Sequence, residues 1–412
     1  MKKHVIVAAG LAVLSTTAFA SKARLEALGQ NSDTGSFFIS DSRNVFKNPA
    51  LVNSFNNYAT FEWGETNNSL DTSSATSQAT YNTAVSGYGT SQRPEGGFFR
   101  KSGSFSYGLF MNSNVRSMNS SIVSENSTFL TEDNRFDLFI AGEAGVKWGA
   151  RLHYSSNKDE RKAVTIGTTG LAAAYTDIKE RTHSSMGLGL GVETGAIKAY
   201  ANLDLKNEAE NAIAADHTAI ASGTAVEGAK FEGDLGLQVG GSYKMGAMTY
   251  FAEYKKLGYD FTESKADTDK TTVEDTTITI GAGNTHKISD SAKIFTEVAY
   301  VSKKEEEKEG TASGEEKSSS LPVTIGFEAS ANTWLTLRGS VTQRLVLNSE
   351  ETTSTPTATS DGKYSKQNTT SVNAGATLEF GKLSVDGMIG SGTAGTLNTD
   401  NLLTKVGVTY EF

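Results

Sequence analysis

No cysteine occurs in the 412-residue chain, and hydrophobic residues make up only 37% of it. Beyond residue 20 no stretch is apolar enough for a membrane-spanning helix, which needs about 20 such residues. The first absence excludes a disulfide framework, a thiolate metal site and lipid attachment through an N-terminal cysteine. The second leaves little material for a large apolar core. Disorder does not follow, because disordered chains are poor in aromatics and this one has 20 Phe, 14 Tyr and 3 Trp. Glycine is abundant instead, at 41 residues. Length alone suggests two or three domains at roughly 150 residues each, a soft expectation because barrels keep larger chains in one unit.

The N-terminus indicates export. Lys2 and Lys3 precede an apolar stretch from Val5 to Leu14, and Ala18-Phe19-Ala20 has the small-residue pattern of a signal-peptide cleavage site. The expected cut falls between Ala20 and Ser21, and losing the two lysines takes the formal charge from −9 to −11. An exported chain without a spanning helix is either soluble or crosses a membrane as a closed β-barrel, the other arrangement that satisfies every backbone polar group.

Period-two alternation decides between these. Val146, Trp148, Ala150, Leu152 and Tyr154 share one face of a strand, with Lys147, Gly149, Arg151 and His153 on the other. Met186, Leu188, Leu190 and Val192 likewise oppose Gly187, Gly189, Gly191 and Glu193, and Leu335, Leu337 and Val341 oppose Thr336 and Arg338. Sixteen such segments are predicted, near residues 57–65, 95–101, 103–112, 134–143, 145–155, 183–194, 196–206, 230–243, 246–257, 274–286, 291–302, 319–330, 333–344, 368–380, 382–391 and 403–412. Seven junctions are short and carry turn residues, as at Lys101-Ser102-Gly103, Thr194-Gly195 and Gly381-Lys382. Eight are long and polar, among them 66–94, 113–133, 156–182, 207–229 and 345–367. Short and long alternate strictly. The expected fold is therefore all-β: a transmembrane antiparallel up-and-down β-barrel of about 16 strands, with short periplasmic turns and long extracellular loops. Glycine-rich faces are expected to line its water-filled interior, where a missing side chain forfeits no packing.

Val406, Val408, Tyr410 and Phe412 alternate up to the aromatic terminal residue. This resembles the closing strand of bacterial outer-membrane barrels, which implies that Tyr410 and Phe412 form the signal read by the barrel-insertion machinery. The architecture also resembles the general porins. That resemblance implies a homotrimer in outer-membrane lipid of a Gram-negative bacterium and a third long loop, 156–182, folded inward, while the residues of that loop read equally as a surface loop or a β-extension of the neighbouring hairpin.

Residues 21–56 lack strand alternation and are expected to be a periplasmic or lumen segment, leaving 57–412 as the barrel. Ala23 to Leu28 can form a helical turn or two. Asn44-Val45-Phe46-Lys47-Asn48-Pro49-Ala50-Leu51 reads first as a capped turn lodging the N-terminus in the barrel base, and it also resembles the N-terminal segment of long-chain fatty-acid transporters, in which an Asn-Pro-Ala stretch precedes the first strand. The chain departs from that pattern in Lys47, in lacking Gly after Ala50, and in sixteen strands where that family has fourteen.

Charged residues on the non-apolar faces are the candidate pore lining: Arg135, Asp137, Lys147, Arg151, Glu193, Lys198, Asp204, Lys206, Glu253, Lys255, Arg338 and Glu379, with others of both signs. Their near balance implies weak charge selectivity. No histidine stands at metal-ligand spacing, no lipase or protease motif surrounds His183-Ser184, and the run Lys303 to Glu309 reads as a solvated external loop. Neither catalysis, a cofactor, a metal nor nucleic-acid binding is expected. The leading expectation is a porin for small hydrophilic solutes. The alternatives are a transporter for hydrophobic substrates with residues 21–56 as a plug, and a structural or adhesive surface barrel.

Overall fold

The computed structural model describes residues 21–63, 94–113, 115, 129–130, 132, 134–160, 178–213, 228–262, 270–355, 358–363, 368–390 and 405–412. The proposed signal peptide lies outside the described residues, as do the middle of loop 156–182, and with it the question of inward folding, and the Ala-rich middle of 207–229; the described ends of 156–182 extend β5 and β6.

Among the described residues, eighteen strand segments form a single antiparallel sheet. In chain order they are β1 (Tyr58–Trp63), β2 (Glu95–Ser102), β3 (Phe105–Met111), β4 (Phe136–Ala144), β5 (Val146–Glu160), β6 (Ile178–Thr194), β7 (Ile197–Ile213), β8 (Lys230–Gly233) and β9 (Gly236–Met245). There follow β10 (Met248–Thr262), β11 (Thr271–Lys287), β12 (Ala292–Glu309), β13 (Ala312–Ser330), β14 (Leu335–Thr355), β15 (Ala358–Lys363), β16 (Thr369–Phe380), β17 (Leu383–Gly390) and β18 (Lys405–Glu411). Segments β8 and β9 both pair with β7 and β10, and β15 and β16 both pair with β14, so each couple is one interrupted stave. The result is a barrel of 16 staves. It closes where β1 pairs with both β2 and β18, with Tyr58 opposite Phe99 on one side and Glu411 on the other.

Alternation sets which side of the wall each residue takes. Leu138, Ile140, Leu152, Leu190, Val192, Tyr250, Ile278, Ile280 and Val341 are exposed on the outer face, as a lipid-facing band requires. Aromatic residues such as Phe105, Tyr243, Trp334, Phe380 and Tyr410 stand near the short-turn end of that face, the position of an interfacial girdle. The short hairpins turn on residues with positive φ, for instance Gly195 at 53° and Gly381 at 67°, where a Cβ would be strained.

Sequence alternation misplaces the far ends of the tall strands. Residues 303–309, expected as an external loop, continue β12 and pair with β13, with Lys303 opposite Ser318 and Lys308 opposite Ser313. Much of 345–367 likewise belongs to β14 and β15. These stretches are charged on both faces and so carry no amphipathic signal. Ion pairs such as Lys303–Asp275 at 2.9 Å and Lys304–Glu315 at 3.0 Å, with the backbone ladder, hold them as strand beyond the apolar band.

Candidate functional site

The lumen is the candidate site, and residues 21–56 occupy it. The segment begins with helix α1 (Lys22–Ala27), N-capped by Ser21. Two short 3-10 helices follow: Ser42–Phe46 capped by Asp41, and Pro49–Asn53 capped by Asn48 with Pro at its start. Each cap side chain accepts a hydrogen bond from a backbone amide of the first turn, which fixes where the chain bends.

From α1 onward the segment touches staves all around the inside of the wall. Ala23 and Ala27 pack on Met388 of β17, Gly29 lies against Thr324 of β13 and Thr342 of β14, and Gln30 donates to Glu297 of β12 at 2.8 Å. Phe38 covers Gly283 of β11, and Phe37 stacks on Phe251 of β10 with ring centroids 4.4 Å apart. Asn48 Nδ2 donates to the carbonyls of Val192 in β6 and Ala199 in β7 at 3.2 and 3.3 Å. Asn53 Nδ2 donates to those of Gly142 in β4 and Trp148 in β5, each at 3.1 Å. Phe46 meets Phe110 of β3 and Phe139 of β4 edge-on. The contacts of Asn48, Asn53, Phe37 and Phe38 lie toward the short-turn end of the wall, and those with Phe110 and Met388 lie nearer the other ends of β3 and β17.

This arrangement corrects one sequence expectation. The lumen glycines at this level face the segment, not water. A Cβ at Gly149 would fall within the carbonyl of Pro49, one at Gly191 would meet the Asn48 side chain, and one at Gly375 would lie 2.7 Å from Ala27 Cβ. Glycine is there to let the segment approach the wall.

Buried ion pairs fasten the segment. Arg24 pairs with Asp41 at 2.9 Å and with Glu328 of β13 at 2.8 Å, and Arg338 of β14 holds Glu328 from the other side at 2.6 Å. Lys22 and Arg43 converge on Glu95 of β2 at 2.8 and 3.0 Å, and Lys405 of β18 pairs with Glu26. Burial raises the Asp41 carboxyl to about 6 despite the pull of Arg24. Burial lowers the Lys47 ammonium, which sits 3.6 Å above the Phe37 ring. A cavity of about 30 Å³ separates Thr34 and Phe46 from Arg151, His153, Asn202 and Asp204 of the wall. That is water-sized, too small for a solute in this arrangement.

The twelve candidate lining residues fall into distinct places. Asp137 lies between Arg151, at 2.6 Å, and Arg135, at 3.4 Å, and Arg135 also reaches Glu132 at 3.0 Å. Arg151 also donates to the carbonyl of Phe46 in the segment. Asp204 lies 3.5 Å from His153. Lys147, Glu193 and Lys198 form a chain of pairs at 3.2 and 3.9 Å beside Ser54. Glu253 accepts from Tyr200 and Gln238, and Lys255 stands opposite Gln238 on the adjoining stave. Arg338 joins Glu328 to Asp386, and Glu379 lies at the short-turn end of β16. Lys206 is not a lumen residue. A register shift between Met186 and Gly187 inserts one residue into β7, so Asp204 and Asn207 both point inward, and Lys206 pairs with Glu208 at 2.9 Å on the outer face. Tyr410 and Phe412 are half-exposed on the outside, and the Phe412 amide donates to the carbonyl of Asn57 at the barrel seam.

Sequence reasoning did not single out Arg24, Asp41, Arg43, Glu62 or Glu95 as functional residues. For Arg24, Asp41 and Arg43 the signal was only charge in a segment without alternation, whereas Glu62 and Glu95 lie in the predicted strands 57–65 and 95–101.

A family model described as a protein of unknown function (DUF3187) matches residues 189–327. No curated protein matches. Among solved structures, the chain is similar to a porin refined at 1.8 Å resolution, at 12% identity and a TM-score of 0.36, with 86% of this chain and 99% of that one covered. It is similar to the toluene transporter TodX of Pseudomonas putida at 12% identity and a TM-score of 0.35, with coverage of 95% and 96%. Outer-membrane OmpT of Vibrio cholerae follows at 10% identity and 0.33, with coverage of 86% and 95%. These are distant likenesses to porin-type and other outer-membrane barrels, and they say nothing of what the chain carries.

Proposed function

We propose that the chain is an outer-membrane transport barrel whose passage is controlled by its own N-terminal segment. In this reading a signal peptide is removed between Ala20 and Ser21, the long connections face outward, and a solute crosses when residues 21–56 shift from the wall. The lap that this segment makes around the lumen carries the reading. Moving the segment away takes partners from wall charges such as Glu328 and Glu95, at about 3–5 kcal/mol for each charge left buried and unpaired, so in this reading its resting position is closed. The charges offered by the sequence as pore lining are largely paired with one another or with the segment, which leaves little free field to select ions.

The wall behind the segment favours solutes with an apolar part over small ions. Phe99, Phe110, Phe139 and Phe251 are buried on the inner side, under or beside Phe46 and Phe37. Aromatic rings have no use on a wall that only water touches, and they become the lining once the segment moves. Conductance in planar bilayers tests the reading. The full chain is expected to be nearly silent and a chain lacking residues 21–56 to show a steady ohmic pore. A full chain as conductive as the truncated one contradicts gating and restores the open porin.

A further inference from the structure

We propose that the α-ammonium released when the chain is cut between Ala20 and Ser21 docks on Glu62, and that this pair latches the start of the lumen segment to the barrel seam. The proposal rests on the cleavage reading given above.

Ser21 is fully buried, at 0% exposed, and its side chain lies against Gly407 of β18, with the Glu62 side chain of β1 beside it. These strands are the two that close the barrel. The amide of Lys22 donates to Glu62 Oε2 at 2.8 Å, so the Ser21 nitrogen stands one peptide unit from the carboxylate. The second oxygen, Glu62 Oε1, is buried without a hydrogen-bond partner among the described residues, and the Arg43 guanidinium is 3.8 Å away. A buried carboxylate oxygen left unmatched is costly.

Electrostatics point the same way. The Arg43 guanidinium lies 3.0 Å from Glu95 but 3.8 Å from Glu62 Oε1, so it is closer to Glu95 than to that oxygen. In an uncut chain the Ser21 nitrogen is a neutral amide. Cleavage turns it into a cation beside Glu62, and cutting elsewhere displaces that charge.

The test uses the full chain extracted from membranes. Intact mass defines its first residue, and acylation of the N-terminal amine by an acetylating reagent at neutral pH, read by peptide mass, reports its protection. Three variants are compared with the parent: Glu62→Gln, a Gly-Ser insertion between Ala20 and Ser21, and the two combined. The parent is expected to start at Ser21 and to be acylated on the order of a hundredfold more slowly than when denatured. Glu62→Gln and the insertion should each raise the rate at least about tenfold, and the combination should be no faster than the insertion alone. The inserted chain keeps every wall residue, so it reads the latch even where Glu62→Gln does not assemble. A parent that starts elsewhere overturns the cleavage reading and the latch together. A parent that starts at Ser21 but is acylated equally fast with or without Glu62 overturns the latch alone.

Discussion

Arg24 Nε lies 2.8 Å from Glu328 Oε2, joining residues 304 apart in the chain across the boundary between the lumen segment and the wall. Arg338 Nε holds the same oxygen at 2.6 Å, so the carboxylate is shared between a residue of the segment and one of the barrel. Arg24→Ala leaves Asp41 buried without its cation. The expected loss is about 3–5 kcal/mol, concentrated in the attachment of residues 21–56. Hydrogen exchange should show lost protection in that segment and unchanged protection in β5 to β7. Equal loss in both contradicts a separately attached segment.

Asp41 makes the attachment sensitive to pH. Its carboxyl is raised from 3.8 to about 6, chiefly by burial and against the opposing pull of Arg24 and the Arg43 amide. A raised carboxyl binds its proton more tightly in the seated segment than in the released one. Its contribution is therefore full below about pH 4 and is lost as pH rises through 6. Protection of the segment, or channel closure, should strengthen between pH 6.5 and about 4.5 for this group. Asp41→Asn should flatten that part of the profile, and a profile unchanged by the substitution removes Asp41 from the account.

Gly149→Val tests the close approach of segment to wall. The new side chain must displace Pro49 and Ala50, whereas the outer face and the ladder between β4 and β6 keep their pairing. Assembly into heat-resistant barrels should persist while basal conductance rises at least about fivefold, the effect of a 1–3 kcal/mol overpacking penalty on the closed state. Gly314→Val, where a Cβ meets nothing within 4 Å, is the control. Equal conductance in the two variants contradicts the role given to the lumen glycines.

The staves were legible because lipid on one side and a polar interior on the other impose a strict period of two. Leu138 against Asp137 and Leu152 against Arg151 carry that signal plainly. It fails wherever both faces see water, as at Lys303 to Glu309, and wherever one residue breaks the register, as beside Lys206. The glycine faces were legible as lumen but misread as wet, since Gly149 and Gly191 look the same in sequence whether water or Asn48 and Pro49 lies above them. Pairings such as Arg24 with Glu328 span most of the chain, and no local pattern encodes them. The Asn48-Pro49-Ala50 run did mark the bend that lays the segment against β5, β6 and β7.

The central claim is that solute passage requires residues 21–56 to leave the wall. Ala27 Cβ and a Cβ built at Gly375 lie 2.7 Å apart, and a small shift brings two cysteines there into disulfide range, about 3.5–4.5 Å between Cβ atoms. The chain has no other cysteine, so Ala27→Cys with Gly375→Cys gives a lock that a reductant opens. Uptake of a small aromatic solute into proteoliposomes should be abolished in the oxidised protein and restored on reduction. Uptake that is equal in both states contradicts the account.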